Sequence, residues 1–117
     1  METRKIAYSE ITQMLGSNIV EFTSIFDEDE GVYPILGDFG NFLISNLNND
    51  AIKMKCFRFI NDAINFGDSN TIEAIKIEIF EQFYENDELV AIGMSCLDEK
   101  AKVLFEEYLQ RYRNPSI

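Results

Sequence analysis

Histidine is absent from the chain. That removes the side chain most often used as a general base, and a common zinc ligand with it. No Gly-x-Ser-x-Gly elbow, His-Glu-x-x-His pair or phosphate-cradling P-loop is present either. No catalytic residue, metal site or cofactor is therefore expected. Cysteine is scarce. Cys56 and Cys96 form no Cys-x-x-Cys motif and lie among apolar neighbours, which suits reduced, buried small hydrophobes. Long apolar runs are also missing. Nothing approaches the roughly 18 residues of a membrane span. Arg4-Lys5 is followed by Ile6-Ala7-Tyr8 and Ser9-Glu10 rather than by the apolar core of a signal peptide. The expected location is the cytoplasm, with no membrane partner.

Positive charge is in short supply. Ten Lys and Arg face 21 Asp and Glu, for a net charge of −11. A surface of that sign repels phosphates and anionic lipid, so direct nucleic-acid binding is not expected. The imbalance is regional. Between Ile6 and Ile52 there is no base, against Glu10, Glu21, Asp27, Glu28, Asp29, Glu30, Asp38 and Asp50. From Asp62 to Glu88, eight acids accompany one base, Lys76. Bases collect at Arg4-Lys5, at Lys53, Lys55 and Arg58, and between Lys100 and Arg113.

Apolar residues are plentiful, at 46% of 117, including ten Phe and fifteen Ile. That suffices for one domain with its own core and no disulfide or metal staple. The periodicity is helical throughout. Tyr8, Ile11, Leu15, Ile19, Phe22 and Phe26 recur every three or four residues, interrupted at Gly16-Ser17. Asn18 and Glu21 have capping-box spacing, which predicts a second helix running into the acidic stretch. Pro34 suits the first turn of a third helix with Leu36, Phe39, Leu43 and Leu47 inward. Gly37 and Gly40 would let a neighbour approach closely. Asp50 reads as the N-cap of a fourth helix, lined by Ile52, Cys56, Phe59, Ile60 and Ala63 and closed by Gly67 at C′. Asn70 and Glu73 would open a fifth helix. Asp98 would cap a sixth, carrying Ala101, Leu104, Phe105, Tyr108, Leu109 and Tyr112 and stopped at Asn114-Pro115. Ile75 to Ile79 alternates like a strand, but Ile72, Ile75, Ile79 and Phe83 fit helical spacing, and no second strand-like run exists to pair with it. The expected fold is an all-α, single-domain bundle of five to six helices spanning residues 1–117.

Two acidic groups stand out as candidate partner-binding residues. The first is Asp27, Glu28, Asp29 and Glu30 with Tyr33, since tyrosine anchors interfaces well. At the end of the expected second helix these acids would oppose the macrodipole. A calcium loop starting at Asp27 fits poorly, because position 5 is Gly31, position 6 is Val32 and position 12 is the short Asp38. The second group is Glu78, Glu81, Gln82 and Glu85, continuing to Asp87 and Glu88. At i, i+3, i+4 and i+7 these share one helix face. Like charges at that spacing cost a helix a few tenths of a kcal/mol per pair. Such stripes suit a Lys- and Arg-rich partner, or are ordinary solvated faces.

Tyr33-Pro34-Ile35-Leu36-Gly37-Asp38-Phe39-Gly40-Asn41-Phe42 is the most distinctive run. Phe57-Arg58-Phe59-Ile60-Asn61, Phe66-Gly67-Asp68 and Ile77-Glu78-Ile79-Phe80-Glu81 follow it. This order resembles small, acidic, helical bacterial proteins encoded beside polymorphic toxins, some of them immunity proteins of contact-dependent growth inhibition systems. The resemblance spans roughly residues 8 to 112. It implies cytoplasmic neutralisation of a delivered toxin, often a nuclease and possibly one acting on tRNA, through a basic toxin domain as partner. It carries over no catalytic residues, and the acidic candidates above come from charge alone. The alternatives are a generic helical interaction module and a nucleic-acid mimic that inhibits DNA-binding proteins.

Overall fold

Asn49, Asp68, Asn86 and Asp98 each accept a backbone N–H three residues on, and each opens a helix in this way. The computed structural model describes residues 7–114. Arg4, Lys5 and Pro115 lie outside the described residues. Within them are six helices and two short 3₁₀ turns, Tyr8–Glu10 and Glu28–Glu30. The helices are α1 (Ile11–Asn18), α2 (Val32–Ser45), α3 (Asp50–Phe66), α4 (69–83), α5 (Asp87–Cys96) and α6 (Glu99–Arg113). Among the described residues there is no strand, and no helix is long and apolar enough to cross a membrane. The expected all-α bundle is the fold observed.

Several boundaries differ from the sequence expectation. Asn18 ends α1 instead of capping a second helix, and residues 19–27 are irregular. The N-cap of α3 is Asn49, one residue before Asp50, and that of α4 is Asp68, two before Asn70. Asp68 is also tied across the fold, its carboxylate accepting the Tyr8 N–H at 3.0 Å. These backbone donors hold the Asp68 carboxyl below its ordinary range. Leu47 lies beyond the end of α2. The Ile75–Ile79 run is helical, but Lys76–Phe80 forms a wider π-turn inside α4. It buries Ile75 and Ile79 and leaves Ile77 half-buried. A helix that periodicity did not mark, α5, follows Asn86.

The core is a chain of edge-on aromatic rings on either side of α3. Phe59 meets Phe39, and Phe39 meets Phe22, with centroids 5.4 and 5.5 Å apart. Phe57 meets Phe83 at 6.0 Å, and the rings of Phe80, Phe83 and Tyr84 all surround Phe105. The buried Tyr84 hydroxyl donates to the Phe105 carbonyl at 2.7 Å, so its polar tip is satisfied. Cys56 is buried in this core, and burial pushes its thiol up to about 12. Cys96 is half-buried.

Glycine marks the tightest contacts. A Cβ on Gly67 would stand 2.1 Å from the Ala63 carbonyl oxygen, while its backbone is ordinary extended chain (φ −77°). The residue closes α3, as expected, because of crowding and not a left-handed turn. Gly16, by contrast, has no heavy atom within 4 Å of where its Cβ would be. Gly67→Ala should therefore lower stability by about 1–3 kcal/mol. Gly16→Ala should raise it by about 0.5–1 kcal/mol through helix propensity. Urea midpoints of the two variants check both signs.

Candidate protein-binding surface

The acidic stretch is a self-capped turn. The Asp27 side chain accepts the Glu30 N–H, and the Glu30 carboxylate accepts the Asp27 N–H at 2.8 Å. Gly31 then takes φ +101°, a left-handed conformation that favours glycine, and leads directly into α2. The four acids thus precede a helix N-terminus. The nearest upstream helix ended at Asn18. The macrodipole favours these acids instead of opposing them, which reverses the sequence expectation. Asp27 and Glu30 hold the turn. Glu28 and Asp29 are exposed, and among the described residues no base pairs with either. Tyr33, the second residue of α2, is half-buried against the core. Desolvation raises its phenol, helped by the nearby Tyr8, Glu73 and Glu78. It belongs to the packing as much as to the surface.

The second stripe divides into separate environments. Glu78 and Gln82 face α2, where Gly37 and Gly40 have no side chains. A Cβ on Gly37 would stand 2.7 Å from Glu78 Oε1, and one on Gly40 would stand 2.3 Å from Gln82 Nε2. The Gln82 amide fills the gap, donating to the Gly37 carbonyl at 3.0 Å and to the Glu78 carbonyl at 2.6 Å. The close approach expected at these two glycines is present. Burial, then the charge of Glu81, raises the Glu78 carboxyl. Glu81 turns toward α6 and accepts the Tyr108 hydroxyl. Desolvation and that bond hold the Tyr108 phenol protonated well above its ordinary range. Lys76 lies 5.6 Å from the Tyr108 ring centroid and 3.9 Å from Glu73. Glu85 is exposed in the turn between α4 and α5. Asp87 and Glu88 start α5, and Asp87 pairs with Arg113 at 3.1 Å. One expected acidic face is thus two internal contacts, one exposed carboxylate and a helix start.

The segment between α1 and the acidic turn carries what the sequence reading missed. Ile19 and Phe22 are buried, whereas Val20 and Ile25 are 74% and 85% exposed. The segment is held in place. Ser24 Oγ and the Ile25 N–H both donate to Asp38 Oδ2, at 2.8 and 2.9 Å. The Phe26 N–H donates to Ser24 Oγ at 3.1 Å, and Glu21 pairs with Lys55 at 2.8 Å. That pair lowers the Glu21 carboxyl. Between α1 and this segment is a cleft of about 250 Å³ with Leu15, Phe22 and Ile35 at its floor, Phe26 on one wall and Glu28 on the rim. A larger groove of about 460 Å³ between α3 and the start of α6 has mixed charge, with Lys53 and Arg58 beside Asp62 and Asp98. The missed signal was the run Thr23-Ser24 within the supposed helix stripe, since both residues favour local backbone hydrogen bonds over helix.

The ordered stretch of residues 19–30 exposes the apolar Val20 and Ile25 and the carboxylates of Glu28 and Asp29. Such a surface suits docking a basic protein. Residues 8–113 match a family model described as Domain of unknown function (DUF7674), and the chain belongs to that family. No curated protein and no solved structure matches the chain.

The Glu78 environment gives a pH prediction. Its folded carboxyl is raised above the ordinary 4.5, so the folded protein holds that proton more tightly than the unfolded chain. Its contribution falls as pH rises through 4.5 toward the folded value, and stays unfavourable above it. Glu78→Gln should leave stability unchanged at the acid end. At neutral pH it should raise stability by at least the roughly 0.2–0.5 kcal/mol of the Glu78–Glu81 repulsion. Denaturation of both proteins across pH 3.5–7 reads the difference, and equal stabilities at neutral pH would contradict it.

Proposed function

We propose that this member of the DUF7674 family is an immunity protein. It is a cytoplasmic inhibitor that binds one bacterial toxin domain stoichiometrically and performs no chemistry itself. The favoured target is a nuclease-type domain, with tRNA as a candidate substrate. The observation that carries the reading is the turn of residues 27–30. It presents the Glu28 and Asp29 carboxylates to solvent, with no base paired to either among the described residues, on a backbone that Asp27 and Glu30 hold.

A nuclease cleft is basic because it binds polyanionic substrate. Carboxylates on a rigid turn can stand where phosphates would, and the backbone that carries them needs no ordering on contact. Complementary charge also speeds encounter, toward the order of 10⁸–10⁹ M⁻¹s⁻¹ at low salt. Speed matters for an inhibitor that must meet its toxin before damage is done. Exposed Val20 and Ile25 in the segment leading to the acids favour a single protein partner over a pure charge mimic. A helical interaction module without a toxin is the second reading, favoured by the same apolar surface.

The test is co-expression with the C-terminal domain of the protein encoded immediately upstream. Restored growth and a one-to-one complex are expected. Neither result appearing with folded protein would put the interaction-module reading first. Within the complex, Glu28→Lys with Asp29→Lys should lower the association rate about tenfold or more at low salt, and less at high salt. The melting temperature should barely move, since neither carboxylate is bonded in the fold. Glu85→Lys with Glu88→Lys should do less. Unchanged affinity in both double variants would remove the electrostatic account.

A further inference from the structure

Gly16 lies in the last two turns of α1, at neither cap, with no neighbour to demand it. Its backbone is not left-handed. A glycine inside a helix costs roughly 0.5–1 kcal/mol against alanine. The fold gives nothing in return here, unlike Gly37, Gly40, Gly67 and Gly93, where a Cβ would collide with a neighbour. Gly16 does border the cleft of about 250 Å³ between α1 and residues 19–27. A Cβ there would meet no heavy atom within 4 Å, so a larger side chain has room to reach over that cleft.

We infer that this cleft is a socket for an apolar side chain of a basic protein segment, and that Gly16 keeps it open. Phe22 and Ile35 expose a little apolar surface at its floor above the fully buried Leu15, so the floor is set by the core, and Thr12, Thr23 and Ser24 complete the lining. Phe26, itself 36% exposed, walls it. The bonds from Ser24 and Ile25 to Asp38 hold the wall in position before anything binds. Charge identifies the occupant. Glu28 is on the rim, with Asp29 beside it, and among the described residues no base balances either. The fitting partner is a segment with Leu- or Met-like side chains on one face and Lys or Arg on its flanks. This deepens the inhibitor reading, and depends on it only for whose segment it is.

The test titrates two helical peptides of equal charge into the isotopically labelled protein. One has Leu on one face and Lys on the other. In the second each Leu is Ala. The Leu peptide should bind about tenfold or more tightly than the Ala peptide, the factor that burying one leucine-sized side chain supplies. Amides of Leu15, Gly16, Phe22 and Phe26 should shift. Gly16→Leu, which fills the cleft from within, should abolish the preference while the protein stays folded. Phe26→Ala should reduce it without touching α1. Glu28→Lys with Asp29→Lys should weaken both peptides alike. Equal binding of the two peptides to the unaltered protein would overturn the inference, as would a preference that survives Gly16→Leu. Growth assays separate this from the wider reading. Protection by both the unaltered protein and Gly16→Leu sinks the socket and keeps the inhibitor. A peptide preference with no protection keeps the socket and sinks the inhibitor.

Discussion

The approach of α2 to α4 is the constraint from which the surface follows. Two missing side chains, at Gly37 and Gly40, let the backbones come close enough for Gln82 to reach the Gly37 carbonyl. Larger residues there would displace Gln82 and Glu78 and strand a polar amide inside the interface. The contact fixes the rotation of α2. With Gly37 and Gly40 against α4 and Leu36, Phe39 and Leu43 in the core, Asp38 is left on the side of residues 19–27. The hydrogen bonds that Asp38 accepts are what make that segment a shaped wall instead of a loose connection. A glycine pair on one side of α2 therefore governs an exposed apolar surface on another.

The same contact explains why the acidic stripe of α4 is not an open face. Helical spacing places Glu78, Glu81, Gln82 and Glu85 together correctly, but spacing does not say what packs over them. The glycines of α2 cover the first part, and Tyr108 of α6 bonds Glu81. Within the stripe, the Glu81 carboxylate is met by a neutral donor and not by a base. That donor is Tyr108, whose phenol burial keeps protonated, while the Gln82 amide serves the main-chain carbonyls of Gly37 and Glu78.

Caps and close-packing glycines were the most legible features. Asp98 sits where its spacing placed it, and Gly37, Gly40 and Gly67 are all contact points. Where two capping residues adjoin, spacing alone did not choose. Asn49 precedes Asp50, and Asp68 precedes Asn70 with the Tyr8 N–H as an extra donor that no local pattern reveals. The apolar repeat through Ile19, Phe22 and Phe26 was misleading for a different reason. Ile19 and Phe22 are buried, so the period was real for them. The segment is nevertheless not helical, because Asp38, distant in sequence, takes the Ser24 and Ile25 donors. α5 was hidden because its apolar residues are only half-buried and its acids read as a continuation of α4. The acidic turn was legible as a cluster, but its position before a helix, which reverses the dipole argument, depended on knowing that no helix precedes it.

The division of labour within that turn bears on what the surface can do. Four adjacent carboxylates repel one another, and a flexible stretch would relax by spreading. Here two of them are engaged by backbone N–H groups, and the first turn of α2 lies beyond Gly31. The local field of those dipoles offsets part of the repulsion. The remaining two project from a backbone that is already ordered. Charge acts over about a Debye length, roughly 8 Å at physiological salt, and so governs how a basic partner arrives. The apolar floor of Leu15, Phe22 and Ile35 acts only on contact, and so governs how long it stays. Placing both within one segment, between the end of α1 and the start of α2, lets a small domain combine a fast encounter with a slow departure. Neither requires the core to move, because every residue that sets the geometry, from Asp38 to Phe22, is already fixed by packing on the α2 side.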